Sequence, residues 1–472
     1  MKLEQCFNVE QFRRYAKKRL PGPIFHYIDG AADDEVTYRR NTSAFEECDL
    51  VPSVLAGVET IDMSTTVMGK KIGMPLFLSP TALQRLFHHD GENAVGAAAA
   101  SFDTWFGISS LATASIEHIA ATVAAPKMFQ LYYHKDKGLT NSMIERCKDA
   151  NFDAIALTVD TIVGGKRERD LVTGFTSPPR LTLKSLLSFA AHPDWTLNYL
   201  FRDKFELSNL KDYVAEGSNL SISISDYFST MLDQSMDWDA AESVRRQWGG
   251  EFCLKGIMSV DDAKRAVDIG ATAIMVSNHG GRQLDGSRAT FDQLAEIVDA
   301  VGDKVDVICD GDIRRGTHVL KALAVGAKAC SGGRLYLYAL AAAGQAGVER
   351  AKVPLADEDR HAEQGLDLGH LLGGDALAVA VHRKDVKSTH PLDGPGGRHG
   401  VIAHPQVEVI GVHRAAGVAQ PLEKALDHHR RKVGQVGLRG LAERHVPRAF
   451  GHGFQRDGPP PRRGQRLVAP VS

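Results

Sequence analysis

A glycine-rich segment with one histidine and one arginine follows an apolar run in MVSNHGGRQLDG, residues 275–286. His279 is the natural proton acceptor of this segment, because the ordinary pKa of an imidazole lies near neutrality. Arg282, three residues later, presents a planar set of N–H donors that suits a carboxylate. Alone, either residue is more common in an ordinary loop than in an active site. Together they predict a base beside an anion-binding group.

Three further residues extend this candidate site. Asp160 would fix the tautomer of the imidazole and stabilise the imidazolium once a proton arrives. Arg167, within GGKRERD, offers a second guanidinium for a carboxylate. Lys255 ends an apolar run, and burial of its ammonium requires an anionic partner, for which an electron-rich cofactor ring is one candidate. These residue types indicate a base, a carboxylate clamp and a buried cation.

Eight short apolar runs, most of them followed by a helical pattern, would have to position these residues. Continuous apolar strands are typical of parallel sheets that helices cover on both faces. Eight such units over roughly 280 residues predict an α/β fold, the TIM (β/α)8 barrel. A doubly wound sheet is disfavoured, because no GxGxxG follows any run and neither GxxxxGKS nor GxxxxGKT occurs. The runs are residues 75–79, 105–109, 127–133, 154–159, 252–256, 272–278, 305–309 and 328–332.

Local signals mark several helix ends. Residues 259–262 and 290–293 resemble capping boxes, in which a first Ser or Thr and a fourth acidic or amide residue cap each other. Gly270, Gly302 and Gly326 fall where helices should stop. These signals predict helices between the later strands.

The loops that follow the strands of a TIM barrel converge at one mouth. We therefore expect the polar residues that flank the eight runs to form one site. The last two loops sit where barrels commonly hold a phosphate, and Arg314 and Arg334 supply charge there. The other residues expected at the mouth are Pro80, Thr81, Ala82, Ser109, Ser110, Gln130, Tyr132, Thr158, Ser277, Asp310, Gly311, Asp312 and Gly333.

The composition is typical of a globular protein with a sizeable core, since 43% of the 472 residues are hydrophobic and 24% are charged. A net charge of -2 favours neither a nucleic-acid partner nor an acidic ligand. The six cysteines form no CxxC pair, which argues against a disulfide framework or structural zinc. We expect a cytoplasmic protein, because the N-terminus lacks a secretory signal and no window reaches the roughly 18 apolar residues that span a bilayer.

We expect residues 1–350 to form the barrel together with an N-terminal helical segment. Two segments of the chain do not fit a plain barrel. Residues 176–246 are too long for the connection after the fourth strand. Within them, residues 181–201 predict either a lid or helix packed on the barrel, or a membrane-interface segment that includes Trp195, Tyr199 and Phe201. The irregular C-terminal tail, residues 351–472, holds eleven of the nineteen histidines without repeated spacing. We expect disorder or poor packing there, and no metal site.

The chain resembles the FMN-dependent enzymes that oxidise L-2-hydroxy acids, a family that includes glycolate oxidases and L-lactate dehydrogenases. The resemblance covers about residues 1–350. In the overall sequence of the long insertion, the chain is similar to the bacterial FMN-dependent L-lactate dehydrogenases. The matching motifs are FHYIDGAADDEVT, LSPTALQRL, FQLYYHKD, LTVDTIVGGKRERD, VSNHGGRQLDG, CDGDIRRG and AAAGQAGVERA.

The resemblance implies a catalytic role for several residues. His279, oriented by Asp160, would be the base, whether the carbon-bound hydrogen of the substrate leaves as a proton or as a hydride. Tyr132 would hydrogen-bond near the substrate hydroxyl, and Lys255 would stabilise negative charge on reduced FMN. The residues implied to hold the substrate carboxylate are Tyr27, Arg167 and Arg282.

The resemblance also implies how FMN is held. Its isoalloxazine ring would meet one group of residues, and its ribityl chain and phosphate another. The first group is Ala82, Ser109, Gln130 and Thr158, and the second is Asp310, Arg314, Gly333 and Arg334.

The chain departs from the family pattern at a few positions. Leu111 stands where many members have tryptophan, Leu335 replaces a frequent proline, and Asp312 occupies a usual glycine position. A carboxylate at position 312 would repel the phosphate unless it turned away. After Arg350 the expected amphipathic helix gives way to the unusual tail, and we attribute this to a shifted reading frame near residue 351. Resequencing of the coding DNA tests that hypothesis.

The leading hypothesis is an FMN enzyme that oxidises an L-2-hydroxy acid, L-lactate by preference, and passes electrons to a quinone or cytochrome. The apolar insertion favours a peripheral contact with the inner face of the cytoplasmic membrane. The alternatives are an oxidase that makes peroxide, a barrel that uses FMN on another substrate, and an inert, flavin-free barrel. The intact set of catalytic side chains argues against the inert barrel. The resemblance also implies a homo-oligomer, unless the tail blocks that packing.

Overall fold

The computed structural model describes residues 3–51, 61–175, 183–202, 206–211, 230–363 and 382–383 of the chain. Strands and helices alternate along most of this length. The strands are β1 (Cys48–Asp49), β2 (Thr65–Val67), β3 (Lys70–Ile72), β4 (Leu76–Thr81), β5 (Phe106–Ser109), β6 (Lys127–Leu131), β7 (Ala154–Thr158), β8 (Glu251–Ile257), β9 (Ala273–Ser277), β10 (Asp306–Asp310), β11 (Ala329–Gly332) and β12 (His382–Arg383).

The helices fall between these strands and before the first of them. They are α1 (Val9–Arg19), α2 (Gly22–Asp29), α3 (Val36–Glu46), α4 (Gly91–Ser101), α5 (Ile116–Thr122), α6 (Lys137–Asp149), α7 (Glu168–Thr173), α8 (Leu183–Ala190), α9 (Pro193–Phe201), α10 (Trp238–Trp248), α11 (Val260–Asp268), α12 (Thr290–Val301), α13 (Gly316–Ala324) and α14 (Arg334–Glu363). Short 3-10 turns are formed by Leu3–Gln5, Gln84–Leu86 and His279–Gly281.

Strands β4 to β11 form a closed parallel barrel, in which each strand pairs with the next and β11 pairs with β4. All eight predicted runs are strands of this barrel. The predicted TIM-barrel fold is therefore confirmed. Two short antiparallel pairs lie outside the barrel, β2 with β3 and β1 with β12.

The barrel strands are buried on both faces. Phe77 and Met275 belong to the apolar cluster inside the barrel, whereas their neighbours Leu78 and Ile274 belong to the larger cluster beneath the helices. This alternation explains why the strands are continuous apolar runs in the sequence. The β2–β3 pair joins the inner cluster at the N-terminal end of the strands, where the indole N–H of Trp105 donates to its backbone at 3.3 Å.

The helix-end signals are only partly correct. Ser259 caps α11, since its hydroxyl accepts the amide N–H of Asp262 at 3.1 Å. The predicted capping box at Thr290 is wrong: the cap residue of α12 is Ala289, and Thr290 is the first residue inside the helix. Gly270 and Gly326 have φ values of 81° and 108° just beyond their helices, as helix-ending glycines commonly do.

The insertion between β7 and β8 contains α8, α9 and α10 among the described residues. The indole N–H of Trp195 donates to the carbonyl oxygen of Leu86 at 2.7 Å, and its ring stacks on Phe189 and Tyr199. Trp195 thus contacts the turn after β4, and Tyr199 stacks on Trp195. The same two helices also present exposed apolar side chains, which are Leu186, Leu187, Leu197, Leu200 and Phe201.

Helix α14 begins at Arg334 and continues past Arg350 to Glu363. It bends at Ala343 and Gly344, whose backbone angles are not helical. The predicted tail, residues 351–472, lies outside the described residues except for 351–363 and 382–383. Within the part of the chain that the structure describes, no helix is both long enough and apolar enough to cross a bilayer.

Candidate active site

A cavity whose interior gives the centres of water molecules about 130 Å³ of space lies at the C-terminal ends of the barrel strands. Every barrel strand or the loop after it contributes to the wall. The predicted site residues that line it are Tyr27, Pro80, Thr81, Ala82, Ser109, Gln130, Tyr132, Thr158, Arg167, Lys255, His279, Arg282, Asp310, Gly311, Gly333 and Arg334. Asp160, Ser277 and Arg314 do not reach the wall and instead contact residues that do.

His279 and Asp160 meet at one side of the cavity. The Nδ1 atom of His279 lies 3.3 Å from Oδ1 of Asp160, and the hydroxyl of Thr161 donates to the same oxygen at 2.8 Å. Burial lowers the pKa of His279 below its ordinary 6.5, although the charge of Asp160 opposes that shift. The imidazole is therefore neutral at neutral pH, and with Nδ1–H directed at Asp160 its acceptor is Nε2.

The backbone around this pair is unusual. His279 has a φ of 56°, in the left-handed region that a residue other than glycine adopts only at a cost. Its amide N–H donates to the hydroxyl of Ser277 at 3.2 Å. A Cβ at Gly256 would lie 2.6 Å from Cβ of Asp160, so the glycine permits the approach of the carboxylate. Such strain is commonly stored at functional sites.

Two guanidiniums line the cavity close to the Tyr27 ring. NH1 of Arg282 donates to the carbonyl oxygens of Tyr27 and Gly30 at 2.7 and 2.9 Å. The Cζ atoms of Arg282 and Arg167 lie 4.9 and 5.4 Å from the ring centroid. Burial first, and then the charge of Arg167, lower the pKa of Arg282 to about 10. The carboxylate of Asp170 lies 3.3 Å from Nε of Arg167, so Arg167 has an anionic partner in the protein, whereas the described hydrogen bonds of Arg282 go to backbone carbonyls.

Lys255 is held in a buried network at the ends of β8, β9 and β10. Its Nζ donates to Oδ2 of Asp310 at 2.8 Å and to the hydroxyl of Ser277 at 2.9 Å. Burial alone would lower the pKa of Lys255 and raise that of Asp310, but their mutual attraction prevails and leaves the carboxyl pKa at about 2. The sequence suggested a cofactor ring as the anionic partner of Lys255, whereas the structure supplies the partner from the protein, Asp310.

A chain of polar side chains forms the opposite part of the wall. The amide of Gln130 donates to the hydroxyl of Thr158 at 2.8 Å and accepts from Ser109 at 3.0 Å. Tyr132 is buried beside them, and burial raises the pKa of its phenol above the ordinary value, with the charge of Asp160 acting in the same direction. Tyr132 therefore stays protonated and can donate a hydrogen bond. Leu111 adds an apolar contact to the wall.

The end of the cavity beside Arg334 differs from the prediction. Arg334 lines the wall, but Arg314 lies behind it, with its guanidinium 5.5 Å from the centroid of the Tyr338 ring. The carboxylate of Asp312 contacts both guanidiniums, at 2.8 Å for Arg314 and 3.4 Å for Arg334. The two predicted phosphate-binding arginines thus share a carboxylate of the protein.

Sequence reasoning missed several residues of the site. Thr161 donates to Asp160, and Ser79 and Ser331 donate to Asp310 at 2.9 and 2.8 Å. The two serines occupy the C-terminal ends of barrel strands, and that position is a signal that finds them. The apolar lining residues carry no comparable signal, because such side chains are common throughout the core. They are Ile28, Ile313 and Leu337.

Sequence comparisons identify relatives over most of the chain. The family model described as FMN-dependent dehydrogenase matches residues 16–362. An L-lactate oxidase from Nostoc sp. is 41% identical over 345 residues, which cover 72% of this chain and 89% of the relative. A putative L-lactate dehydrogenase from Mycobacterium tuberculosis is 35% identical over 351 residues, which cover 74% of this chain and 83% of the relative.

A solved structure agrees with both the fold and the sequence match. The crystal structure of the monotopic membrane protein (S)-mandelate dehydrogenase superposes with a TM-score of 0.72 at 33% identity. The match covers 76% of this chain and 95% of that chain. The shared architecture therefore extends over nearly the whole of the mandelate dehydrogenase.

The cavity of this chain suits FMN in its donor groups. A flavin requires a positive group near its ring and donors for its phosphate. Lys255 provides the positive group for the ring, and Gly311 and Gly333 line the wall without side chains, while Arg334 at the phosphate end already contacts Asp312. These features, the barrel and the match to the family model agree. The chain therefore belongs to the FMN-dependent dehydrogenase family, as an oxidoreductase of 2-hydroxy acids with FMN as its cofactor.

Proposed function

We propose that the chain oxidises an L-2-hydroxy acid, L-lactate by preference, to the 2-oxo acid and passes the electrons to a quinone or cytochrome. The substrate loses two electrons and two protons, one from the hydroxyl and one from the carbon. FMN, when bound, accepts the electron pair. The observation that carries the proposal is the shared cavity of a neutral imidazole, held by Asp160, and two guanidiniums.

His279 is the proposed catalytic base. Its lowered pKa keeps Nε2 available for a proton at neutral pH, and Asp160 stabilises the imidazolium that forms. The left-handed φ of His279 supports this assignment, because strained backbone conformations are concentrated at functional sites. Tyr132 is proposed to donate its phenolic O–H toward the substrate hydroxyl or the forming carbonyl.

Arg282, Arg167 and Tyr27 are proposed to bind the substrate carboxylate. The support is electrostatic: the charge of Arg167 lowers the pKa of Arg282, and an anion bound beside both guanidiniums relieves that repulsion. Arg282 is already oriented by two backbone carbonyls, so little ordering remains when substrate binds. This clamp selects an acid over an uncharged alcohol and turns the hydroxyl-bearing carbon toward His279.

The remaining polar residues are proposed to hold the cofactor. Lys255 places a positive charge beside the ring, which stabilises negative charge on the reduced flavin. Asp310 and Ser277 position Lys255 and fix its protonated state. The residues proposed to contact the ring are Pro80, Thr81, Ala82, Ser109, Gln130 and Thr158, and those proposed at the ribityl and phosphate groups are Asp310, Gly311, Arg314, Gly333 and Arg334.

The acceptor is proposed to be a quinone or cytochrome reached at a membrane surface. Exposed leucines and Phe201 on α8 and α9 provide an apolar face, and a helix of this kind can lie in a membrane interface. The name of the M. tuberculosis relative and the monotopic character of the mandelate dehydrogenase support a dehydrogenase. On this basis we propose a cytoplasmic protein in peripheral contact with the inner face of the cytoplasmic membrane.

A second candidate is an oxidase that reduces oxygen to peroxide. The name of the Nostoc relative, L-lactate oxidase, favours it. The two candidates share the oxidation of the acid and differ only in how the reduced flavin is reoxidised. Peroxide yield in air, measured against reduction of a soluble quinone analogue, separates them. Peroxide in proportion to substrate, with slow quinone reduction, would support the oxidase.

The test of the central proposal is an anaerobic spectrum. Purified protein loaded with FMN is mixed with L-lactate, and we expect the flavin absorbance to bleach with formation of pyruvate. D-lactate and an uncharged alcohol such as 2-propanol are the matched controls and should leave the spectrum unchanged. A flavin that stays oxidised with L-lactate, glycolate and mandelate alike would contradict the proposal.

A further inference from the structure

Asp312 follows β10 at the end of the cavity that Arg334 lines. Its φ of 53° lies in the left-handed region, which glycine adopts freely and an aspartate adopts at a cost. The side chain is only 2% exposed. A buried carboxylate on a strained backbone requires strong local partners, since burial of an unpaired charge is costly.

Those partners are the two arginines proposed for the cofactor phosphate. NH2 of Arg314 donates to Oδ1 of Asp312 at 2.8 Å, and NH1 of Arg334 lies 3.4 Å from the same oxygen. The Oδ2 atom is buried and accepts no hydrogen bond from the described residues. The carboxylate therefore faces the guanidiniums and does not turn away from them.

Arg334 has little capacity left for a second anion. Its Nε donates to the carbonyl oxygen of Ile28 at 3.0 Å, NH2 donates to that of Gly30 at 2.8 Å, and NH1 donates to that of Gly280 at 2.9 Å. A guanidinium has five N–H donors, and the contact with Asp312 engages a further one. A phosphate that reaches Arg334 must therefore displace Asp312 or accept its repulsion.

We propose that the Asp312 carboxylate competes with the phosphate of FMN, so that this chain binds FMN weakly and accepts riboflavin, the flavin without the phosphate, nearly as well. The inference rests on the proposed contact of Arg334 and Arg314 with the cofactor phosphate. Asp312 thus sets which flavin the chain prefers, and it does so through charge and not through contact with the ring.

The test compares two flavins on the same protein. Flavin-free protein is titrated with FMN or riboflavin, and quenching of flavin fluorescence gives a dissociation constant for each. For the unmodified chain we expect the two constants to differ by less than about tenfold. In Asp312→Asn, which keeps the volume and removes the charge, the constant for FMN should fall about ten- to a hundredfold. The constant for riboflavin should change by less than about threefold.

Asp312→Gly should tighten FMN binding at least as much, because it also relieves the left-handed backbone. Asp103→Gly is the matched control, since Asp103 has a φ of 48° but is exposed before β5. It should leave both constants unchanged. A strong preference for FMN that Asp312→Asn does not increase, or an equal effect on both flavins, would overturn the inference. No substrate is present, so a chain that binds flavins as expected but leaves L-lactate untouched contradicts only the proposed function.

Discussion

Two buried lysines occupy contrasting surroundings in this molecule. Lys255, at the end of β8, is 5% exposed and donates to Asp310 and Ser277. Lys352, on α14, is 1% exposed, and its Nζ has no hydrogen-bond partner among the described residues. Its ammonium lies 4.7 Å from the centroid of the Phe102 ring. One lysine is part of a complete polar network, and the other occupies an apolar position without one.

The pKa values follow the same division. Burial lowers the pKa of Lys352 to about 7, and the charge of Glu349 opposes this only weakly. Burial has the same tendency at Lys255, but Asp310 outweighs it and raises the pKa. A buried charge in a folded protein is commonly paired with an opposite charge or with hydrogen-bond partners. Lys352 lies within the family match, which continues to residue 362, so its missing hydrogen-bond partner does not test the hypothesis of a shifted reading frame near residue 351.

Removal of the paired lysine should have the largest effect. Lys255→Met leaves the Asp310 carboxylate buried without its counter-charge, which costs roughly 3–5 kcal/mol of stability. It also removes the positive charge beside the flavin ring, so kcat for L-lactate should fall about a thousandfold. Thermal unfolding and steady-state turnover measure the two effects. A variant that keeps wild-type stability would contradict the account of the pair.

The double variant Lys255→Met/Asp310→Asn tests why stability is lost. Without the uncompensated carboxylate, more than half of the lost stability should return, because the charge and not the packing causes the penalty. Activity should not return, since the positive charge is still missing. Lys264→Met, on the exposed face of α11, is the matched control and should change neither quantity measurably.

Asp160→Asn should have the next largest effect, on rate and on pH dependence. The carboxylate stabilises the imidazolium of His279, so its loss should lower kcat/KM by about a hundredfold. The charge of Asp160 raises the pKa of His279. Removal of that charge should therefore move the acid limb of the pH profile of kcat/KM to lower pH. In the unmodified enzyme that limb should already lie below 6.5, because burial lowers the pKa of His279. An acid limb that moves upward would contradict this arrangement.

Arg282→Met should weaken substrate binding by about ten- to a hundredfold in KM. The expected cause is loss of a buried, oriented donor to the substrate carboxylate. The KM for the methyl ester of L-lactate, which carries no charge, should rise far less than the KM for L-lactate. The preference for the acid over the ester should therefore fall. Arg246→Met, at an exposed position of α10, is the control. Unchanged preference in Arg282→Met would count against the clamp.

The sequence predicts the barrel and most of its mouth for a physical reason. Strands buried on both faces are visible as apolar runs, and their C-terminal ends must converge once the barrel closes. This convergence predicts that His279 and Asp160 meet, although they are 119 residues apart in the chain. In the structure the two side chains are in contact.

What the sequence does not reveal depends on packing between side chains. The bond between Lys255 and Asp310, the left-handed φ of His279 and the position of Arg314 behind Asp312 all follow from distances that no spacing encodes. The cap of α12 at Ala289 likewise does not follow from the local pattern at Thr290. Local patterns therefore predict the elements and some of their ends, while the electrostatics of the site require the structure.

Replacement of the unpaired lysine should have the smallest effect and the opposite sign. Lys352→Met removes a buried ammonium that has no hydrogen-bond partner among the described residues, and it should raise the free energy of unfolding at pH 7 by roughly 1–3 kcal/mol. Between pH 7 and 10.5 the unfolded chain holds a proton on this lysine that the folded chain releases. Stability of the unmodified protein should therefore increase with pH across this window, by at most about 1.4 kcal/mol per pH unit from this group.

The difference between the unmodified protein and Lys352→Met isolates that group from the other lysines. We expect the stability gained by the substitution to be largest at pH 7 and below, and to vanish only above pH 10.5, where Lys352 becomes neutral in both states. Denaturant unfolding at several pH values measures it, with Lys264→Met as the control. A gain that does not depend on pH would mean that packing, and not charge, separates the two variants. A loss of stability would mean that Lys352 is as well accommodated as Lys255, and the contrast between the two regions would disappear.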